Sequence, residues 1–257
     1  GRPGFPTLLS SLAEMWHKDQ EKLVSQAETI VNHLNSASNE ISKVNSNVSN
    51  IALSHWNSNF DKRWGGFGQA PKFPNSGAIL HLLNDYNVND NQTSLYSAVK
   101  TLDSMFQGGI YDHVGGGFAR YSVDEKWLVP HFEKMLYDNA QLMEAYLVGY
   151  QLTKNEDYLT VISQILEWLK DEMIDENGGF YSSMDADSEG VEGKYYVWNP
   201  EEIENVLSET DAKIFNQYYD ISKTGNWEGN SIPNIIMKKS SLSTLLKIPE
   251  SEISSSL

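Results

Sequence analysis

Side chains that can do acid–base chemistry are concentrated in one stretch of this chain, between residues 112 and 139. The stretch holds two of the six histidines, and carboxylates lie on both sides of them. A histidine exchanges protons near neutral pH, and two carboxylates can divide the roles of acid and of base or nucleophile. With two acids from a later loop, the predicted catalytic residues are Asp112, His113, His131, Glu133, Asp138, Asp185 and Asp187.

The same part of the chain is rich in aromatic and cationic side chains, which favours a sugar as the substrate. The C–H faces of a sugar pack on aromatic rings, while its hydroxyl groups need hydrogen-bond donors and acceptors. The predicted substrate-binding residues are Phe67, Lys72, Arg120, Tyr121, Trp127, Lys134 and Tyr137. In an epimerase or isomerase, His131 or His113 would take a proton next to a carbonyl, whereas in a glycosidase two carboxylates would share the work.

A purely structural explanation stands beside the assignments around His131. Its ring could be held by a loop carbonyl, and Lys134 with Asp138 could form an ordinary i,i+4 pair on a solvated helix face. If the helix is an inner one, its polar face, with His131, Lys134, Asp138 and Gln141, lines a cavity instead. We predict the second arrangement, joined by Asp112 or His113 from the preceding loop.

The segment from Asp185 to Gly190 resembles the opening of a calcium loop. It has side-chain oxygens at positions 1, 3 and 5 and a glycine at position 6. Tyr196 stands at position 12, where a bidentate carboxylate is needed. A carboxylate pair for glycoside chemistry is an equal contender for this segment, and neither a metal nor a cofactor is predicted.

Composition limits the partners of the protein. The formal net charge is −16, with 35 acidic against 19 basic residues, so no basic surface is available to neutralise nucleic-acid phosphates. No apolar run approaches the roughly 20 residues of a membrane span. The absence of cysteine excludes disulfides and thiolate chemistry within these 257 residues. We expect a cytoplasmic protein with a small carbohydrate as its ligand and neither nucleic acid nor membrane as a partner.

Helices and the loops between them are predicted to position these side chains. Apolar stripes with helical spacing predict helices over residues 7–17, 19–37, 47–61, 76–87, 92–107, 132–153, 155–174, 200–208 and 209–219. The strongest, 132–153, follows Pro130, a residue type favoured in the first helical turn. A small β-hairpin is expected between residues 117–121 and 127–129.

The tripeptide Gly-Gly-Phe occurs three times, at residues 65–67, 116–118 and 178–180. Each copy follows one predicted helix and precedes another, and such self-similarity is typical of stacked supersecondary units. The unit here is a helical hairpin, and hairpins stacked around an axis form an α/α toroid. We therefore predict an all-α fold, a partial (α/α)6 toroid with small β-hairpins in its loops. The three Gly-Gly-Phe loops should lie at one end, above a cavity.

Several longer motifs resemble the YyaL family, which includes spermatogenesis-associated protein 20. They are Gly65-Gly66-Phe67-Gly68, Ala70-Pro71-Lys72-Phe73-Pro74, Gly115-Gly116-Gly117-Phe118, Arg120-Tyr121-Ser122, Val129-Pro130-His131-Phe132-Glu133-Lys134-Met135-Leu136-Tyr137-Asp138-Asn139, Asp185-Ala186-Asp187-Ser188, Glu192-Gly193 and Tyr196-Val197-Trp198. The resemblance implies a thioredoxin-like domain followed by an (α/α)6 barrel, which is similar to N-acylglucosamine 2-epimerases and six-hairpin glycosidases.

The resemblance also implies a domain organisation. Residues 1–18 are interpreted as the tail and linker of a preceding thioredoxin-like domain, a covalently linked partner in the full-length protein. Residues 19–257 are the N-terminal part of a truncated barrel, because twelve helices and their loops need more than about 300 residues. The predicted function is a carbohydrate-active barrel domain, a sugar isomerase or epimerase or a glycosidase. The alternative is a non-catalytic domain that binds carbohydrate or protein and serves the thioredoxin-like module.

Overall fold

A computed structural model describes residues 4–38 and 47–257 of the chain. Its helices are α1 (Phe5–Lys18), α2 (Gln20–Ser38), α3 (Val48–Asn59), α4 (Ser76–Asn89), α5 (Gln92–Gln107), α6 (Leu136–Thr153), α7 (Glu156–Glu172), α8 (Pro200–Val206), α9 (Glu209–Tyr218), α10 (Lys239–Leu246) and α11 (Glu250–Ser256). Its two-residue strands are β1 (Tyr121–Ser122), β2 (Pro130–His131), β3 (Lys134–Met135), β4 (Ser183–Met184), β5 (Asp187–Ser188) and β6 (Val191–Glu192). The all-α prediction with small strands in the loops is confirmed.

The chain divides into two compact units, residues 1–50 and 51–257. In the first unit, apolar side chains remain exposed on both helices, such as Leu8 and Trp16 on α1 and Ile30 and Leu34 on α2. The predicted role of residues 1–18 as the tail of another domain stays a prediction. Residues 39–46, between the predicted helices 19–37 and 47–61, lie outside the described residues.

The second unit is built on two consecutive helical hairpins, α4–α5 and α6–α7, with α4 packed against α6. Fully buried aliphatic side chains such as Ile79, Leu83 and Leu102 form the core between them, and burying apolar surface is what stabilises the packing. The buried hydroxyl of Tyr146 donates to the Leu102 carbonyl oxygen at 2.8 Å, which satisfies its polar group inside that core. Successive hairpins of this kind are the arrangement found in part of an α/α toroid.

Helix α6 begins four residues later than predicted. Residues 130–131 and 134–135 are strands, because Pro130 and His131 pair with β1 while Lys134 and Met135 pair with β4. The first pairing also moves the predicted hairpin, which joins residues 121–122 to 130–131 instead of 117–121 to 127–129. The helices α10 and α11 were not predicted, since Leu242 and Ile253 are their only fully buried apolar residues and leave little periodic pattern.

The three Gly-Gly-Phe loops share one backbone design. Each begins with an aspartate whose side chain accepts backbone N–H groups of its own loop. The residue before that aspartate then pairs with the phenylalanine of the tripeptide. These pairs are Phe60 with Phe67, Tyr111 with Phe118 and Ile174 with Phe180. Lys72 pairs with Ser122 and Lys134 with Met184, so the segments that follow consecutive loops adjoin one another.

Candidate functional site

Two of the predicted substrate-binding residues, Lys72 and Lys134, are buried lysines that close these loops. The Nζ atom of Lys72 donates to Asp61 and to the Gly65 carbonyl oxygen, and Lys134 donates to Asp112 and to the Gly116 carbonyl oxygen. A buried ammonium group must be paired and hydrogen-bonded to be tolerated. Both lysines therefore hold loops together, and neither lies on an exposed helix face.

Lys134 was expected on the polar face of α6, paired with Asp138, and that expectation is wrong. It precedes the helix and lies 2.7 Å from Oδ2 of Asp112. Burial alone would raise the pKa of Asp112, but the charge and hydrogen bond of Lys134, with the backbone N–H groups of Gly115 and Val114, lower the pKa below its usual value. The Asp112 carboxylate is thus the ion-pair partner of Lys134.

His113 is a buried residue of the core. Its Nε2 atom lies 3.1 Å from the Gly108 carbonyl oxygen, so this nitrogen carries the proton and donates. Desolvation lowers the pKa of His113 to about 4, which keeps the ring neutral at physiological pH. Phe67 and Trp127 are buried as well, and the indole N–H of Trp127 donates to the Trp64 carbonyl oxygen at 2.9 Å. The structure therefore places these three predicted site residues inside the core.

An open cleft of about 490 Å³ lies at the start of α4 and α6. We call it the candidate cleft; its lining consists of Trp56, Phe73, Pro74, Asn75, Ser76, Gly77, Ala78, Arg120, Tyr137, Asp138, Gln141 and Leu142. Arg120, Tyr137 and Asp138 were predicted as site residues, and Gln141 was predicted to share their cavity. Across the cleft, Ser76 Oγ donates to Gln141 Oε1 at 2.7 Å, which joins the first turn of α4 to α6.

Asp138 carries the most perturbed carboxyl group of the cleft. Its Oδ2 atom is buried and has no hydrogen-bond partner. Desolvation raises the pKa of Asp138 to about 6, with Glu133 adding to the rise and the Arg120 charge opposing it. A carboxyl group with such a pKa can both hold and release a proton close to neutral pH, which is what a general acid–base catalyst requires.

A chain of charged side chains begins at Arg120, which lines the cleft. Arg120 Nη1 donates to Oε2 of Glu133 at 3.0 Å. The same Glu133 oxygen lies 3.9 Å from Nε2 of His131, whose Nδ1 lies 2.7 Å from Oε1 of Glu192. His131 is therefore held by carboxylates and not by a loop carbonyl.

Aromatic rings connect His131 to a residue of the cleft. The ring of Tyr121 stacks on His131 with centroids 5.1 Å apart, and its centroid lies 4.9 Å from that of Phe73. Phe73 itself lines the cleft and is 45 % exposed. His131, Glu133 and Tyr121 do not themselves line the candidate cleft, so the predicted placement of His131 in the cavity is wrong. His131 is linked to the lining residues Phe73 and Arg120 through Tyr121 and Glu133.

The later acids, Asp185 and Asp187, are exposed and do not line the cleft. Asp185 Oδ1 accepts the backbone N–H of Asp187, and Asp187 pairs with Glu192 in the β5–β6 hairpin. Within residues 4–38 and 47–257, no group of three or more histidine or acidic side chains is placed to hold a metal ion.

Sequence reasoning missed two residues of this region, Phe73 and Glu192. Phe73 belongs to the Ala70–Pro74 motif, so the motif was visible but the direction of its side chain was not. Glu192 is 61 residues from His131 along the chain. Nothing in local spacing indicates that pair, because β5 and β6 bring it about through tertiary contacts.

Comparison with known proteins confirms the predicted resemblance. An uncharacterized protein of Caenorhabditis elegans is 37% identical over 256 residues, which cover 91% of this chain and 35% of the relative. Spermatogenesis-associated protein 20 of Homo sapiens is 36% identical over 252 residues, covering 88% of this chain and 32% of the relative. The chain thus spans about one third of the length of the curated relatives it matches. No family model matches the chain.

Solved structures resemble parts of the fold at low sequence identity. Cellobiose 2-epimerase from Spirochaeta thermophila has a TM-score of 0.48 and 21% identity, over 52% of this chain and 36% of that one. A D-mannose isomerase has a TM-score of 0.41 and 20% identity, over 68% and 44% of the two chains. Among the helices of the described residues, none is both long enough and apolar enough to cross a membrane.

Proposed function

We propose a function for this chain from the site itself. The chain is related along nearly all of its length to about one third of spermatogenesis-associated protein 20, and the name of that relative assigns no reaction. The candidate cleft binds a small carbohydrate, and Asp138 exchanges a proton with it. The observation that carries the proposal is the Asp138 carboxyl group, which has one buried, unpartnered oxygen and belongs to a residue lining an open cleft of aromatic and polar groups.

The size and chemistry of the cleft suit a sugar of one or two rings. Its volume of about 490 Å³ falls within the roughly 300–1,000 Å³ of small-molecule sites. The exposed rings of Phe73 and Tyr137 offer surfaces for the C–H faces of a sugar. Arg120 and Gln141 supply donors and an acceptor for its hydroxyl groups.

The groups around Asp138 support isomerisation or epimerisation. In either reaction a base removes a proton from the carbon next to the sugar carbonyl, and the carbonyl oxygen gains negative charge. Asp138 as the carboxylate accepts that proton. In an isomerisation it returns the proton to the former carbonyl carbon, whereas in an epimerisation a proton is returned to the same carbon from the opposite face. The guanidinium of Arg120, fixed by Glu133, stabilises the oxygen charge. His131, which is linked to Arg120 through Glu133, is the second group able to move a proton.

Thermal-shift titration of the full-length protein with reducing mono- and disaccharides tests the binding step, since a bound ligand raises the melting temperature. We expect a concentration-dependent rise for at least one sugar, and a much smaller rise for Phe73→Ala. Val88→Ala removes a more exposed apolar side chain from α4, outside the cleft, and should behave as the wild type. No rise with any sugar contradicts the proposal. Binding without turnover favours the alternative, a non-catalytic carbohydrate-binding domain.

A further inference from the structure

We propose that Glu192, which belongs to the Glu192-Gly193 motif but was not predicted as a site residue, is a positioning residue that fixes the tautomer and ring orientation of His131. The functional role of this pair rests on the proposed function, because His131 would act on a ligand bound in the candidate cleft. Its structural basis is independent of that function and consists of the contacts of one imidazole ring.

The contact between the two side chains settles which nitrogen carries the proton. Nδ1 of His131 lies 2.7 Å from Oε1 of Glu192. An ionised carboxylate can only accept hydrogen bonds, so Nδ1 must be the protonated nitrogen and must donate. In the neutral ring Nε2 is then left with a free lone pair. This nitrogen points towards Glu133, whose Oε2 is 3.9 Å away.

The imidazole ring of His131 is held by stacking on its face as well as by the hydrogen bond at its edge. Tyr121 stacks on it at an interplanar angle of 24°. Backbone pairing of Tyr121 with His131 in β1 and β2 keeps the two rings in register. The freedom that remains is a flip of the imidazole about its Cβ–Cγ bond, which exchanges the position of each ring nitrogen with that of a ring carbon. The hydrogen bond to Glu192 fixes this orientation.

The hairpin that carries Glu192 is itself seated next to His131. Gly193 has a φ of +73°, and a side chain there would meet the ring of Phe132, the immediate neighbour of His131, at 2.4 Å. The Gly193 N–H also donates to the Ala186 carbonyl oxygen at 3.0 Å. The segment of Glu192 and Gly193 thus packs directly against His131 and Phe132. A lone pair on Nε2, the nitrogen that faces Glu133, is the form of histidine that accepts a proton.

Nitrogen NMR of histidine-labelled protein measures the tautomer directly, with His131→Gln used to assign the signal. In the wild type we expect Nδ1 of His131 to be the protonated nitrogen. In Glu192→Ala we expect the ring to change towards the Nε2–H form. The matched control is Glu189→Gln, an exposed glutamate of the same hairpin region that pairs with Lys194. It should leave the His131 signal unchanged.

A His131 tautomer that is the same in Glu192→Ala and in the wild type overturns the proposal. Calorimetric titration with a sugar that binds the wild type adds the functional arm. We expect Glu192→Ala to weaken binding about tenfold and Glu189→Gln to leave it unchanged, and equal affinity in Glu192→Ala contradicts the link to the cleft. If no sugar binds the wild type, the proposed function fails, while the tautomer measurement still decides the role of Glu192.

Discussion

Arg120 and Glu133 are joined twice, once through their side chains and once through their backbones. The side-chain contact is 3.0 Å, and the Arg120 N–H donates to the Glu133 carbonyl oxygen at 2.8 Å. One of these residues follows the second Gly-Gly-Phe loop and the other precedes α6. The guanidinium at the cleft is therefore anchored to the same backbone that leads into Asp138.

Replacing Arg120 by lysine should weaken sugar binding by about tenfold or more. Lysine keeps the charge but lacks the planar fork of donors that can bind Glu133 and a ligand at the same time. Calorimetric titration measures the change in Kd. Arg63→Lys, in the first loop and away from the cleft, is the control that should keep the wild-type Kd. An unchanged Kd in Arg120→Lys removes the guanidinium from the binding site.

Replacing Lys134 by methionine should destabilise the protein by about 3–5 kcal/mol, because it leaves the buried carboxylate of Asp112 without its partner. Urea unfolding of the full-length protein gives the free energy. Lys194→Met breaks an exposed ion pair and should have little effect. If Lys134→Met unfolds at the same urea concentration as the wild type and the Lys194→Met control, Lys134 does not hold the loop.

The pKa of Asp138 predicts a stability change with pH. Its folded-state pKa is raised to about 6, so its contribution is fully present below the ordinary value of 3.8 and is lost as pH rises through 6. Asp138→Asn, which cannot ionise, should thus be more stable relative to wild type at pH 8 than at pH 5. After allowance for solvent screening we expect a difference of about 1–2 kcal/mol. Equal effects at both pH values would show an ordinary carboxyl group.

Gly66 should tolerate alanine less well than Gly178, although both have positive φ. A side chain at Gly66 would lie 2.4 Å from the ring of Trp127, whereas nothing lies within 4 Å at Gly178. Both variants carry the backbone strain of about 1–2 kcal/mol, and only Gly66→Ala adds the clash with a buried indole. Thermal unfolding should show the larger loss for Gly66→Ala, and equal losses would contradict the close contact.

The sequence predicted the helices well where apolar residues repeat with helical spacing, as for α5, whose limits of 92 and 107 agree with the structure. It failed at the start of α6. Pro130 indicated a helix there, but pairing of Lys134 with Met184, 50 residues later, formed a strand. Such long-range backbone pairing leaves no local pattern.

The candidate site divides in the same way. Arg120, Tyr137 and Asp138 were identified from residue type and neighbourhood, and the cleft contains them. His113 and Lys134 have equally reactive side chains, but burial makes them part of the loop framework. Residue type could not separate these two groups, because the difference lies in what surrounds each side chain in the folded chain.

The most direct test of the central claim follows deuterium from solvent into sugar. Reducing mono- and disaccharides are incubated with the full-length protein in D2O, and mass spectrometry measures deuterium incorporated at carbon. We predict incorporation next to the carbonyl of at least one sugar, and a rate at least about 100-fold lower in Asp138→Asn. An absence of incorporation with the wild type for every sugar, or an equal rate in Asp138→Asn, would contradict proton transfer by Asp138.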